Sequence, residues 1–433
     1  MFFPSFLLVL LVFSAPVAIL ADGPVVHGLI AAAAAVSIAV IVLKVRPGEA
    51  GFLSALIRPI VYVAAVPALW MIVQLMPIQT PGLAHSVWTS ATAAIGLPLA
   101  ETISIDPGAT LIALVRYLST IAIALAAAAL SIDRWRAQWI LLALVAAATV
   151  SALIALAPKS GFIPFISSEK ASEQSGLIST TVAGLGVILS LAAGLHMISQ
   201  RISHSKQTNS NRSGLIFAAC AIAFVLCCVT IIAAGTSQIY FAVVCGVATL
   251  IVATAIRRFD IGSWGIAAII SIALFIMAAV FGTQLNNPSL DLSLAFATKT
   301  PTPLIEITQR MLTESGWAGT GAGTFSNILP IFRDMDESTI GQFAPTAAAT
   351  IAIEMGRPFF WVTVLTMLAL AFILLKGALR RQRDSLYPAA GASCVIVVVL
   401  LGFDNFAPLT TSVSIIVATT IGMGIAQRKS RLV

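Results

Sequence analysis

The residues of this chain able to do polar chemistry are few, and their longest concentration runs from about Gly282 to Arg357. Two carboxylates there, Glu306 and Glu354, could serve as general bases if burial raised their pKa values. Three cations, Lys299, Arg310 and Arg357, could hold an anion, and Arg357 stands at a membrane edge where it could reach a headgroup. Arg310 has a second reading, because Glu306 and Glu314 lie four residues to either side and would pair with it on a solvated helix face. Gly319, Gly321 and Gly323 form a G-x-G-x-G run; with no strand before it this is no dinucleotide fingerprint, and it reads as a tight turn or an anion nest. Asp334, Asp336 and Glu337 could attract a divalent ion, but beside Arg333 they read as solvated charges. Since no Cys or His spacing suits a transition metal, neither metal nor cofactor is expected.

Outside this stretch the sharpest residue is Arg116, about nine residues into an apolar run that starts after Pro107. At about 1.5 Å per residue that is roughly 13 Å along a helix axis. An arginine at such depth is costly against lipid and usually faces a cavity or a partner. It reads as an anion-binding residue, a structural pair, or a side chain snorkelling beside Tyr117. His27 and His85 each stand without a visible partner and read as solvated or capping residues.

The elements that must position these groups follow from composition. The chain is 59% hydrophobic and 9% charged, with a mean hydropathy of +1.02. That is outside the range of soluble domains and marks an all-α polytopic membrane protein without a separate soluble domain. Twelve apolar runs, each about long enough to cross a hydrocarbon core of roughly 30 Å, fall near residues 3–21, 25–43, 57–77, 108–131, 137–157, 176–199, 214–234, 237–256, 263–282, 358–376, 387–403 and 409–426. The first reads as a retained helix, with a cleaved signal peptide as the alternative. All five cysteines lie in apolar runs and read as small buried hydrophobes.

Charge then orients the chain. With both termini cytoplasmic, seventeen Lys and Arg fall inside and six outside, and Arg116 completes the 24. The positive-inside rule therefore places the long hydrophilic stretch on the extracytoplasmic face. The excess of cations marks topology, so no nucleic-acid partner is expected. The resulting single membrane domain, 1–433, has a first outer loop at 78–107, a cytoplasmic linker at 200–213, and a large outer loop at 283–357 between the ninth and tenth spans. Two short helices are predicted in that large loop. Thr302 to Gly316 has Pro303 near its start and an apolar stripe of Leu304, Ile307 and Met311; a second runs from about Thr346 to Met355, closed by Gly356.

Several stretches resemble the O-antigen ligase and polymerase family of bacterial inner-membrane enzymes. They are Gln74-Leu-Met-Pro-Ile followed by Ile103-Ser-Ile-Asp-Pro-Gly-Ala-Thr110, Thr302-Pro-Leu-Ile-Glu306 through Gly319-Thr-Gly-Ala-Gly-Thr-Phe325, Ser175-Gly-Leu-Ile-Ser-Thr-Thr-Val-Ala-Gly184, Gly235-Thr-Ser-Gln238 and Glu354-Met-Gly356. The likeness runs in order over roughly residues 60–430. It implies a metal-independent glycosyltransferase that moves a polyprenyl-diphosphate-linked saccharide onto a lipid or glycan acceptor at the periplasmic face, with membrane lipids around it. Arg116, Arg310, Arg357, Lys299 and the three loop glycines would then meet the diphosphate, and Glu354 or Glu306 would serve as base. The chain departs from the family where Phe343-Ala-Pro-Thr346 replaces a His-rich signature, Gln238 an arginine, and Pro301 a basic residue. Those departures keep open a non-catalytic relative that binds lipid-linked saccharide during surface polysaccharide assembly or export. A transporter would call for intramembrane acids or broken helices near mid-bilayer, whereas the runs carry few central charges besides Arg116.

Overall fold

The computed structural model of the protein describes residues 2–21, 23–44, 47–77, 85–157, 169–203, 210–259, 291–294, 302–333, 344–380 and 385–428. Among them the secondary structure is helical, apart from an isolated bridge between Pro77 and Thr102. The helices are α1 (Phe2–Leu20), α2 (Pro24–Lys44), α3 (Pro47–Leu75), α4 (Ser86–Ile95), α5 (Pro107–Leu130), α6 (Arg134–Leu156), α7 (Glu169–Ser203), α8 (Ser210–Ala234), α9 (Ser237–Phe259), α10 (Thr302–Glu314), α11 (Phe325–Phe332), α12 (Ala347–Glu354), α13 (Arg357–Arg380), α14 (Leu386–Asp404) and α15 (Thr411–Ala426). Nine of these are long and apolar enough to cross a membrane, and Val61–Leu75 and Thr411–Ala426 are shorter apolar helices. The protein is an all-α polytopic membrane protein.

A helix satisfies its backbone polar groups internally, which hydrocarbon demands. Hydroxyls inside the spans follow the same rule: Thr180 donates to the Gly176 carbonyl at 2.7 Å and Ser151 to that of Ala147 at 3.0 Å. Asp106 and Asp133 start α5 and α6 by accepting from the Ala109 and Trp135 N–H groups.

Small residues let the rods approach closely. A methyl group at Gly186 would come within 2.8 Å of both Ala148 and Cys227, so α7 sits tightly between α6 and α8. Helices α7 and α14 are the most enclosed spans, α5 packs on α15 and α2, α13 packs on α14, and α3 lies against α5. α1 is built into the same core through Leu8, Leu11, Val12 and Ala15.

At one end of this bundle the polar segments form a second layer with its own core. Leu304, Ile307, Met311 and Leu312 of α10 meet Phe325, Ile328 and Leu329 of α11 and Ala348, Ala352 and Ile353 of α12. The predicted α10 and α12 are present, with Thr346 capping α12 through Ala349 N–H at 3.0 Å. The large loop holds a third short helix as well, α11. Its eight residues are too few to show a periodicity, and Pro330 inside it reads as a breaker in sequence. The linker expected at 200–213 is shorter, since α7 continues to Ser203 and α8 begins at Ser210. The loop expected at 78–107 also carries structure, in α4. The apolar run 263–282, Lys299, Pro301, Phe343 and the Asp334–Glu337 cluster lie outside the described residues.

Candidate functional site

Three parts of the chain converge at the loop end of the bundle: the end of α3, the turn that starts α5, and the segment from α10 to α13. Gln74, one residue before the end of α3, is fully buried and makes three side-chain hydrogen bonds. Its Nε2 donates to the carbonyls of Ala318 at 3.1 Å and Glu354 at 3.0 Å, and its Oε1 accepts from Ala322 N–H at 3.2 Å. Its own carbonyl accepts from Ser104 N–H at 3.1 Å, and Ile105 N–H reaches the Thr320 carbonyl at 2.9 Å. Gln74 thus ties the glycine turn and the end of α12 into one block through its side chain, and joins them to the segment before α5 through its backbone carbonyl.

The glycine turn adapts to this block. Gly319 and Gly356 have φ of 79° and 93°, in the region that disfavours a Cβ. They also face each other's strands of chain, because a methyl group at Gly319 would strike the Glu354 carbonyl and one at Gly356 would strike that of Trp317. The turn's N–H groups are directed inward: Thr320 to the Ile353 carbonyl and Gly321 to the Glu354 carbonyl, both at 3.0 Å.

The next donors receive a charged group. The Glu354 carboxylate accepts from Gly323 N–H at 2.8 Å and Phe325 N–H at 3.1 Å, at the start of α11. The last glycine of the run and the first residue of α11 thus direct two N–H groups at an anion that is a side chain of the protein itself. Glu354 keeps some exposed surface, yet its surroundings raise its pKa from 4.5 to about 7. Loss of hydration is the main cause; the two N–H donors and the charge of Arg116 pull the other way.

Arg116 reaches this place from within α5. It donates to the carbonyl of Leu409, in the short turn Ala407–Leu409 between α14 and α15, and its charge acts on Glu354. A membrane-embedded cation and a carboxyl with a raised pKa are thereby brought together where the span meets the loop layer. Around them Asp106 receives the Asn327 amide at 2.7 Å, locking the start of α5 to α11. Trp70 donates to the Met355 carbonyl at 3.1 Å and stacks on Phe359 with ring centroids 6.3 Å apart.

The other candidates lie elsewhere. Glu306 and Arg310 occupy the exposed face of α10. Arg357 binds the Leu312 carbonyl at 3.2 Å and Asp291 at 3.2 Å, so it closes the C-terminal end of α10. His85 caps α4 by accepting from Val87 N–H at 3.3 Å, and burial pushes its pKa down; His27 meets the Thr411 hydroxyl at 2.7 Å. Gln74 is the residue whose role is not evident from sequence, although an amide near the end of an apolar run is itself a signal that a buried polar partner awaits it. The chain matches no family model and aligns significantly with no curated protein sequence.

Proposed function

We propose that the protein is a bacterial inner-membrane glycan ligase or polymerase that transfers a saccharide from a polyprenyl diphosphate to an acceptor hydroxyl at the periplasmic face. In this reading the chain crosses the membrane twelve times, with both termini in the cytoplasm and the loop layer outside. The observation that carries it is the Arg116–Glu354 juxtaposition at the boundary between an apolar span and a polar roof, beside motifs resembling that family.

The chemistry asks for a cation at the leaving group and a base at the nucleophile. The acceptor oxygen forms its bond to the anomeric carbon as the bond from that carbon to the diphosphate oxygen breaks. The hydroxyl proton passes to Glu354, and the diphosphate leaves with the bonding pair, steadied by Arg116. A base with a pKa of about 7 is well matched to neutral pH. The second reading, a non-catalytic binder of lipid-linked saccharide, draws on the same carboxylate: two N–H donors already hold it, as a purely structural anchor would be held.

The test is a deletion strain assayed for surface polysaccharide and complemented with wild type, Arg116→Ala or Glu354→Gln. Loss of glycan attachment or length, restored by wild type alone, supports transfer. Restoration by Glu354→Gln but not by Arg116→Ala favours the binder, and normal glycan in the deletion removes both.

A further inference from the structure

The loop between α3 and α5 holds an element that the proposed reaction does not use, the short helix α4. From Met76 to Ala100 the chain has no Asp, Glu, Lys or Arg. The one titratable group in that run is His85, and burial pushes its pKa down, which favours the neutral form. At about 100° per residue, Ala94, Val87, Ala91, Ile95 and Trp88 fall within about 120° of the helix surface, with Ser86, Thr89 and Ser90 on the other side. Helix α4 is therefore amphipathic without being charged. Yet it packs along no other helix among the described residues, and none of its ten residues is buried. Val87 is 38% exposed, and Ile95 and Leu97, on either side of the left-handed turn at Gly96, are 60% and 62% exposed.

That apolar surface is held at the level where the long helices end. Trp88 donates to the Ser104 carbonyl at 3.1 Å, His85 N–H to the Thr102 carbonyl at 3.1 Å, and Pro77 bridges to Thr102. Ser104 in turn gives its N–H to Gln74, in the last turn of α3, and stands just before the membrane-crossing α5 begins at Pro107. Two hydrogen bonds thus join Trp88 to the end of α3. A helix about 10 Å across, tethered in this way, lies in or against a headgroup layer of about 5–7 Å. Lipid is what meets any uncovered protein surface at that level, and an uncharged apolar face suits the boundary between headgroups and acyl chains. We propose that α4 is an interfacial helix, lying in the headgroup layer on the side of the loop layer. Val87, Ile95 and Leu97 reach the upper acyl chains, and Ser86, Thr89 and Ser90 face water. The contact is independent of glycan transfer, and of lipid charge as well, since α4 offers no cation.

The test uses the full chain, one copy per phosphatidylcholine nanodisc, carrying Ile95→Cys, Leu97→Cys or Ser90→Cys and treated with a membrane-impermeant sulfonated maleimide. Wild type gives the background from the five native cysteines. All three positions are exposed in the protein, so a difference among them reports the bilayer. Ile95→Cys and Leu97→Cys should react about tenfold or more slowly than Ser90→Cys, as expected for positions sunk to the acyl chains. The same ratio should hold in phosphatidylglycerol discs, because no cation draws α4 to an anionic headgroup. Equal rates in the three variants, or slowing confined to phosphatidylglycerol, overturns the proposal. A bimane fluorophore on the same variants gives a second reading. Quenching by acyl-brominated phosphatidylcholine in the Ile95→Cys and Leu97→Cys proteins but not in Ser90→Cys supports insertion, and equal quenching in all three overturns it.

Discussion

Replacing Gln74 with leucine tests whether a single amide holds the loop layer to the bundle. Leucine keeps most of the volume and removes every side-chain hydrogen bond. The Ala318 carbonyl and Ala322 N–H lose their Gln74 partner, while the Glu354 carbonyl still has Gly321 N–H. A buried backbone group left unpaired costs about 1–3 kcal/mol, so two cost about 2–6 kcal/mol. The loss falls on the glycine turn, and local opening there should precede global unfolding. Thermal unfolding in detergent should therefore show a lowered midpoint, and limited proteolysis should cut faster between Gly316 and Gly323. Gln138→Leu is the control, because that amide's bond is a weak one to the Met197 sulfur at 3.9 Å. If Gln74→Leu unfolds and cuts no differently from Gln138→Leu, the block is held by something else.

Gly319→Ala should destabilise more than Gly323→Ala: both have positive φ and both methyl groups meet backbone, but the one at Gly319 would overlap the Glu354 carbonyl, while the one at Gly323 would lie 3.0 Å from the Ala109 carbonyl oxygen. Yields of monodisperse protein and unfolding midpoints give the ranking, and the reverse order would refute it. Glu354's folded pKa of about 7 lies above its ordinary 4.5, so its contribution to stability is most favourable below 4.5, declines as pH rises through 7, and is flat beyond. Unfolding midpoints from pH 4 to 8 should show that decline in wild type and lack it in Glu354→Gln. Asp106→Ala removes the α5 cap and the Asn327 lock and should cost about 1–3 kcal/mol, most of it recovered by Asp106→Asn, as read by chemical denaturation.

The spans were legible because hydrocarbon makes helix the obligatory answer for a long apolar run. α10 and α12 were legible for a different reason, a proline or capping threonine ahead of a periodic apolar face and a glycine behind. Arg116 and Glu354 each stand out singly, one by depth in a span and the other as an acid before a glycine. Their meeting is hidden in sequence, since more than two hundred residues separate them and nothing local sets the distance between α5 and α12. Arg310 and Arg357 show the converse. Both are cations in the polar layer, yet one faces outward on α10 and the other closes that helix's last turn, and residue type cannot tell those placements apart.

The proximity of Arg116 to Glu354 carries a consequence for the proposed reaction. The guanidinium lowers the carboxyl's pKa, opposing the desolvation that raises it. An arriving diphosphate would take that cation's charge for itself and add negative charge beside Glu354. Both changes make the carboxylate harder to sustain, so its affinity for a proton would rise when substrate is in place. By linkage, substrate would bind more tightly once Glu354 is protonated, and substrate binding would draw in a proton near neutral pH. The carboxyl would be a stronger base in the complex than in the free protein, and transfer would proceed from the complexes in which it is still ionised, since only a carboxylate can take the acceptor hydroxyl's proton. In the non-catalytic reading the same coupling survives as pH-dependent binding without turnover. Proton uptake on adding a polyprenyl diphosphate, compared between wild type and Glu354→Gln, would therefore separate a coupled pair from two residues that merely lie side by side.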